Sequence, residues 1–298
     1  MYVTERLIRF ARKPLADKWA AIKATFFVMP KSFQADATEQ RRMYGLLTGP
    51  HAPPKVLQGD EKMYVAHRPD SDVFFKDHAE IAELSVKWIR ESGWNNAGDL
   101  PRLYALILNV KQILNENAVG DIAELGVYQG NSAAVLAHYA RMYRRRIYLF
   151  DTFEGFDDRD LVGVKRGRAV AFADTSLDQV RDLVGDKDVT FVQGRFPDSI
   201  PPELYASRFC VVHIDCDLYR PAKAGLEFFY PRLSPGGLLI VHDYANPFWK
   251  GIKRAVDEYC RKIPERPVVL GDKSGTAMIR KFADGAAEPD SVPIMTSR

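Results

Sequence analysis

Two short runs carry ionisable side chains at a density that ordinary loops lack. Val212-His213-Ile214 leads into Asp215-Cys216-Asp217-Leu218-Tyr219, and Leu239-Ile240-Val241 leads into His242-Asp243-Tyr244. Asp215, Asp217 and Asp243 repel one another unless a cation or a proton lies between them. Hard divalent cations suit such a cluster, with Mg2+ the usual case. His242 could be a further ligand or a general base, because imidazole titrates near working pH. No His-x-x-x-His pair occurs, which disfavours zinc. His213 precedes the apolar Ile214 and reads as a satisfied core histidine. Cys216 stands between two candidate site aspartates, but no motif makes it a nucleophile.

A third run, Glu124-Leu125-Gly126-Val127-Tyr128-Gln129-Gly130, is a strand passing into a glycine turn. Glycine lets the backbone turn tightly and approach a ligand closely. The spacing is not that of the dinucleotide fingerprint, so a pyrophosphate cradle is disfavoured. The pattern suits a ligand whose amino-acid portion lies over the loop. Asn131 and Ser132 are placed to cap the helix that follows. One βα unit later, Phe150-Asp151-Thr152-Phe153 puts a carboxylate where a ribose diol is bound, since it can accept both hydroxyls. After the next strand, Gln193-Gly194-Arg195-Phe196 could hold a base ring. All these groups follow apolar strands. In an open parallel sheet the carboxyl ends of the strands line one crevice, and ligands bind there.

The elements that must position them alternate from Asp121 onward. Strands read as Ile122–Leu125, Ile147–Phe150, Val189–Val192, Phe209–Ile214 and Leu238–Val241. Helices read as Ser132–Tyr143, Leu177–Leu183, Ala222–Tyr230 and Gly251–Lys262. Pro267–Leu270 and Ala277–Lys281 flank Gly271-Asp272-Lys273-Ser274-Gly275 as a hairpin. This alternation predicts an α/β fold with a mostly parallel, doubly wound sheet and an antiparallel C-terminal hairpin strand. Two helices precede it, about Asp77–Glu91 and Pro101–Asn117, the second with proline at its start and Gly120 beyond its end. Residues 1–30 form a basic amphipathic segment, read as a helix packed on its own domain or a second subunit, so a homodimer or higher homo-oligomer is expected. Residues 31–70, rich in proline, glycine and charge, read as a long loop with short helical pieces. The expected organisation is therefore an N-terminal extension over 1–99 acting as a cover or oligomerisation element, a cofactor-binding domain over 100–282, and a disordered tail over 283–298.

Composition narrows the class of partner. The 298 residues carry a net charge of +3, too little to argue for nucleic acid. No apolar run reaches the roughly 18 residues that span a bilayer. The N-terminus lacks a signal-peptide pattern, and the three cysteines form no Cys-x-x-Cys pair, so a reduced, cytoplasmic protein is expected.

The glycine turn, Asp215-Cys216-Asp217-Leu218-Tyr219, Leu233-Ser234-Pro235-Gly236-Gly237 and His242-Asp243-Tyr244 together resemble the macrocin O-methyltransferase family over about residues 100–281. These are S-adenosylmethionine-dependent enzymes, many of which methylate sugar hydroxyls of natural products or polysaccharides. The resemblance implies a seven-stranded, Rossmann-like class I methyltransferase sheet. It implies a cofactor held by Glu124, Gly126, Tyr128, Gly130, Asn131, Ser132, Asp151, Thr152, Gln193, Gly194, Phe196 and Asp215. It also implies Mg2+ on Asp215 and Asp243, with Asp217 as candidate general base. The family often has a second aspartate where this chain has His242, which would ligate as imidazole or leave a site that works without metal. The acceptor implied is a small sugar-like hydroxyl compound, bound by the N-terminal region and the loop at 153–175, where Arg166 and Arg168 could meet a phosphate. A catechol-type phenolic O-methyltransferase shares the sheet and the acidic centre, and a non-catalytic cofactor-binding scaffold is a further alternative.

Overall fold

The computed structural model describes residues 57–59, 62–64, 88, 99–164 and 171–282. The chain divides into two units, Met1–Asp77 and His78–Arg298. In the first, β1 (Leu57–Gly59) and β2 (Lys62–Tyr64) form an antiparallel ribbon pairing Leu57 with Tyr64 and Gly59 with Lys62. This corrects the expectation of loop and short helical pieces for that part of 31–70. The segment 1–30, Arg166, Arg168, the tail 283–298 and, apart from Trp88, the helix expected over Asp77–Glu91 lie outside the described residues.

The second unit is built on seven strands: β3 (Asp121–Leu125), β4 (Ile147–Asp151), β5 (Val189–Gln193), β6 (Phe209–Ile214), β7 (Leu233–Val241), β8 (Val268–Val269) and β9 (Ala277–Arg280). Their order is β5-β4-β3-β6-β7-β9-β8. The first five run parallel, and β9 is antiparallel to both of its neighbours. The chain winds outward from β3 to β5 and then returns to the other side of β3. The order therefore reverses between β3 and β6, where an open sheet leaves a crevice.

Helices cover both faces. α1 (Leu100–Asn115), α2 (Asn131–Met142) and α3 (Leu177–Val184) pack in succession, and α4 (Tyr219–Arg232) packs with α5 (Lys250–Cys260). α1 starts where its chemistry dictates: the Asp99 carboxylate accepts from the Arg102 N–H, and Pro101 occupies a first-turn position whose N–H would go unused. Leu103, Ile107, Val110 and Ile113 recur at helical spacing and are buried.

Strand parity assigns each side chain to a layer. Ala123 and Leu125, Val212 and Ile214, and Leu239 and Val241 join Leu226, Phe229, Ile252 and Val256 of α4 and α5 in one core. Gly225 permits that approach, because a Cβ there would lie 2.8 Å from Leu125 Cδ2. The alternate residues Glu124, His213 and Ile240, paired in register, face the opposite layer. Asp215 and His242, two residues beyond His213 and Ile240 and just past the ends of β6 and β7, share that parity.

The strand expected over Leu238–Val241 starts earlier, because Leu233-Ser234-Pro235-Gly236-Gly237, despite its turn-forming residues, is part of β7. Phe209 pairs with Leu233 and Val211 with Leu238, so the intervening residues bulge. Gly236 has φ +75°, which an L side chain rarely adopts.

Candidate active site

The acidic centre forms where β6 and β7 end. The ladder carries on past the strands: Asp215 N–H donates to Leu125 O at 2.8 Å and His242 N–H to Ile214 O at 2.9 Å. Asp215, His242 and Asp243 place ligating atoms within 4.8 Å of one another. His242 Nδ1 lies 2.8 Å from Asp215 Oδ1 and 3.2 Å from Asp243 Oδ2. The second oxygen of Asp215 accepts from Arg102 Nη2 at 2.5 Å. Asn246 Nδ2 donates to Asp243 Oδ1 at 2.5 Å. Asp217 and Asp243 both have φ near +60°, an uncommon conformation for a residue with a side chain.

Burial and charge set the proton affinities. Burial pushes Asp217 well up from the usual carboxylate range, and the neighbouring Asp243 and Asp215 charges push the same way. Burial would also raise Asp215, but His242 and Arg102 outweigh it and hold Asp215 well below its ordinary value. Asp243 is lowered, because His242 outweighs its burial. For His242, burial and Arg102 favour the neutral ring, yet Asp215 and Asp243 win and raise it to about 9. Burial and the flanking aspartates push the Cys216 thiol well up, which disfavours it as a nucleophile.

The donor set of two carboxylates and an imidazole suits a divalent cation, and the three residues expected to ligate are the ones brought together. The site holds its own cation as well. Arg102 was not found from the sequence, although a signal existed: a basic residue in the first turn opposes the helix dipole, which favours anions there.

The glycine turn sits beside this centre. Gly126 has φ +89°, and a Cβ there would lie 2.1 Å from Asp215 O, so only glycine lets the two loops touch. Glu124 is fully buried, with Oε1 2.7 Å from His213 Nδ1. His213 is thus the core histidine expected. Asp151 braces the turn: Oδ2 accepts from the N–H groups of Val127 at 2.6 Å and Tyr128 at 3.0 Å, and Oδ1 from Phe153 at 2.8 Å. Thr152 Oγ1 donates to Gly155 O at 2.5 Å. Gly194 N–H donates to Asp151 O at 2.9 Å, and Gln193 Nε2 to Thr152 O at 3.4 Å. The Tyr128 hydroxyl donates to Asp174 Oδ1 at 2.7 Å.

Two sequence-based roles are corrected. Asn131 and Ser132 do not cap α2; Gly130 does, with φ +88° and no side-chain bond, and both lie in the first turn. Phe196 does not present a face for a base ring. It is buried, stacked on Phe229 at 5.7 Å and edge-on to Phe150 at 5.6 Å, because the apolar core offers it more contact than the crevice. Arg195 is likewise taken by Asp160, through Nε at 2.9 Å and Nη2 at 2.7 Å.

Residues 91–277 match the family model described as macrocin O-methyltransferase (TylF). The chain belongs to the macrocin O-methyltransferase family. Among curated family relatives, a tetracenomycin-C rhamnosyl 4'-O-methyltransferase from Streptomyces olivaceus is 33% identical over 163 residues, 49% of this chain and 61% of that one. The mycinamicin III 3''-O-methyltransferase from Micromonospora griseorubida is 27% identical over 223 residues, 64% of this chain and 85% of that one. Demethyldecarbamoylnovobiocin O-methyltransferase from Streptomyces niveus is 30% identical over 168 residues, 51% of this chain and 63% of that one. The match thus spans about three fifths of the length of two of these relatives. In structure, the O-methyltransferase NovP aligns with TM-score 0.53 and 27% identity, covering 61% of this chain and 80% of that one. The calicheamicin methyltransferase CalS11 aligns with TM-score 0.51 and 23% identity over 75% of this chain and 98% of that one, a likeness of fold alone. The fold is the class I methyltransferase sheet that the sequence motifs implied. No helix among the described residues is long and apolar enough to cross a membrane.

Proposed function

We propose that the chain is an S-adenosylmethionine-dependent O-methyltransferase whose acceptor is a hydroxyl of a sugar unit on a natural product or polysaccharide precursor. The observation that carries this reading is the junction of the glycine turn with the acidic centre: Gly126 touches Asp215, whose side chain meets His242. Cofactor-side and acceptor-side chemistry thereby share one crevice. One relative is named for O-methylation of a rhamnosyl tetracenomycin, which favours that acceptor over a catechol.

The chain's own residues supply binding and proton handling. Glu124, Gly126, Tyr128 and Gly130 shape the turn that would hold the cofactor's amino-acid end. Asp151, with Thr152, Gln193 and Gly194 around it, stands at the strand end where a ribose diol would bind, its carboxylate held in place by the N–H groups of Val127, Tyr128 and Phe153. When bound, S-adenosylmethionine supplies an electrophilic methyl group on a sulfonium that departs as a neutral thioether. Asp215, His242 and Asp243 would hold Mg2+, which as a Lewis acid lowers the pKa of a hydroxyl. Asp217 is the carboxylate made most basic by its surroundings, so it is the group best matched to take the acceptor proton. Positioning accounts for much of the remainder, since a reactant held in line for attack no longer loses that entropy in the transition state. The reduced cytoplasmic setting and the homo-oligomer are part of the same proposal; the segment expected to mediate assembly lies outside the described residues.

The test is release of S-adenosylhomocysteine from purified protein with S-adenosylmethionine and three acceptor classes: rhamnosylated polyketides, nucleotide-activated deoxysugars and catechols, each with Mg2+ and with chelator. Turnover of a glycosylated or sugar acceptor supports the reading. Turnover of catechol alone moves it to the phenolic class. Cofactor binding without product from any acceptor favours a scaffold.

A further inference from the structure

Three half-buried aromatic rings have no part in the chemistry described so far. Phe156 and Phe172 belong to the loop after β4, and Trp249 to the loop after β7. Phe156 lies edge-on to Trp249 at 5.7 Å and to Phe172 at 5.4 Å, and Phe172 lies 6.1 Å from Trp249. Phe172 also meets the Tyr128 ring edge-on at 5.0 Å. In the sheet, β3 and β6 stand between β4 and β7. Rings that come from the two outer strands and meet one another therefore lie over the ends of β3 and β6, where the glycine turn and Asp215 stand. The cluster is fastened there. Thr175 Oγ1 donates to Tyr128 O, the Tyr128 hydroxyl to Asp174, and Arg220 Nη1 of α4 to Arg159 O at 2.5 Å. Phe172 has φ +63°, a conformation that a bulky residue keeps only when its surroundings hold it, and such strain gathers at ligand clamps.

We infer that Phe156, Phe172 and Trp249 form the acceptor wall of the crevice, selecting a sugar that carries an apolar aglycone over one that carries a nucleotide phosphate. Aromatic faces are apolar and bear the negative side of the ring quadrupole, so they suit the C–H face of a deoxysugar and the body of a polyketide alike. The same faces offer a phosphate no hydrogen bond to replace its hydration. Asp174, bonded to the Tyr128 hydroxyl beside Phe172, adds a negative charge that repels it further. Small-molecule sites combine an apolar, aromatic lining with a few polar groups that fix orientation, and here the acidic centre is the polar part. The inference rests on the proposed sugar-hydroxyl acceptor and narrows it.

The experiment is steady-state methyl transfer by the full chain, with S-adenosylmethionine and Mg2+, to a rhamnosylated polyketide and to a nucleotide-activated rhamnose. Wild-type kcat/KM should favour the rhamnosylated polyketide at least about tenfold. Trp249→Ala and Phe156→Ala should each raise KM for it about five- to tenfold, more than they lower kcat, and should shrink that preference; Trp249→Phe should restore most of it. Calorimetry should find S-adenosylhomocysteine affinity within about twofold of wild type in the alanine variants, because the lost rings face the acceptor. If those variants weaken S-adenosylhomocysteine as much as the acceptor, the rings only fasten the glycine turn and the inference falls. If wild-type protein prefers the nucleotide-activated sugar, it falls without recourse to any variant, so a variant that fails to fold does not shelter it. If wild-type protein turns over neither sugar, the sugar-acceptor proposal itself fails, a result distinct from either of these.

Discussion

Neutralising Asp215 is the change that should move His242 most. His242 is about nine-tenths buried, and burial and Arg102 both disfavour its charge. It is raised to about 9 because Asp215 and Asp243 oppose them. At an effective dielectric near 20, a unit charge about 4 Å away contributes roughly 4 kcal/mol, and about 1.4 kcal/mol corresponds to one pH unit. Asp215→Asn keeps the shape and removes that charge, so the His242 pKa should fall to about 7 or below. The assay is a proton NMR titration of the histidine ring resonances in chelator-treated protein, with His242 identified by its loss in His242→Gln. Stability should follow. The folded pKa lies above the unfolded value of about 6.5, so the contribution of His242 is fully present below pH 6.5 and is lost as pH rises through about 9. Its upper limit is about 3 kcal/mol. Urea denaturation at pH 6 and 9.5 should show that loss in the wild-type protein and much less of it in Asp215→Asn. A His242 that still titrates near 9 in the variant would refute the charge assignment.

Two other substitutions probe the crevice. Gly126→Ala places a Cβ 2.1 Å from Asp215 O at φ +89° and should destabilise the protein by about 2 kcal/mol or more, with loss of S-adenosylhomocysteine binding. Wild-type stability and affinity in that variant would show that the two loops can separate freely. Asp217→Asn should lower kcat by roughly 100-fold or more while S-adenosylhomocysteine affinity stays within about twofold. A near wild-type rate in steady-state assays would remove Asp217 as the base.

Strand positions were legible because each is a short apolar run ending in polar residues, and β6 matched its expected bounds. β7 was shortened because Pro235, Gly236 and Gly237 carry turn chemistry, and nothing local reveals that their backbone continues a bulged strand. Asp215, His242 and Asp243 could be paired from their positions at neighbouring strand ends. Phe196 could not be placed, since an aromatic after a strand serves a core or a crevice equally well until α4 supplies Phe228 and Phe229. Arg102 escaped for another reason. Its partner is 113 residues away, and only the packing of α1 against β6 and β7 brings them together.

The composition of the acidic centre constrains how a metal could enter. Asp215 and Asp243 favour their charged forms, Arg102 is a cation, and His242 is protonated below about 9. Two anions thus already face two cations. An imidazole ligates only when neutral, so Mg2+ binding through His242 must release its proton, and a ligand that loses a proton makes metal affinity pH-dependent. Affinity should then rise nearly tenfold per pH unit up to about 9, or roughly 30-fold between pH 7 and 8.5. Calorimetric Mg2+ titration at those two values, in buffers of different ionisation enthalpy, reads both the affinity and the proton released. A pH-independent affinity with no proton release would place the ion on the aspartates alone and leave His242 beside it as a charged neighbour. In that case the imidazole would share with Arg102 the work of balancing Asp215, and metal affinity would be the weaker for it.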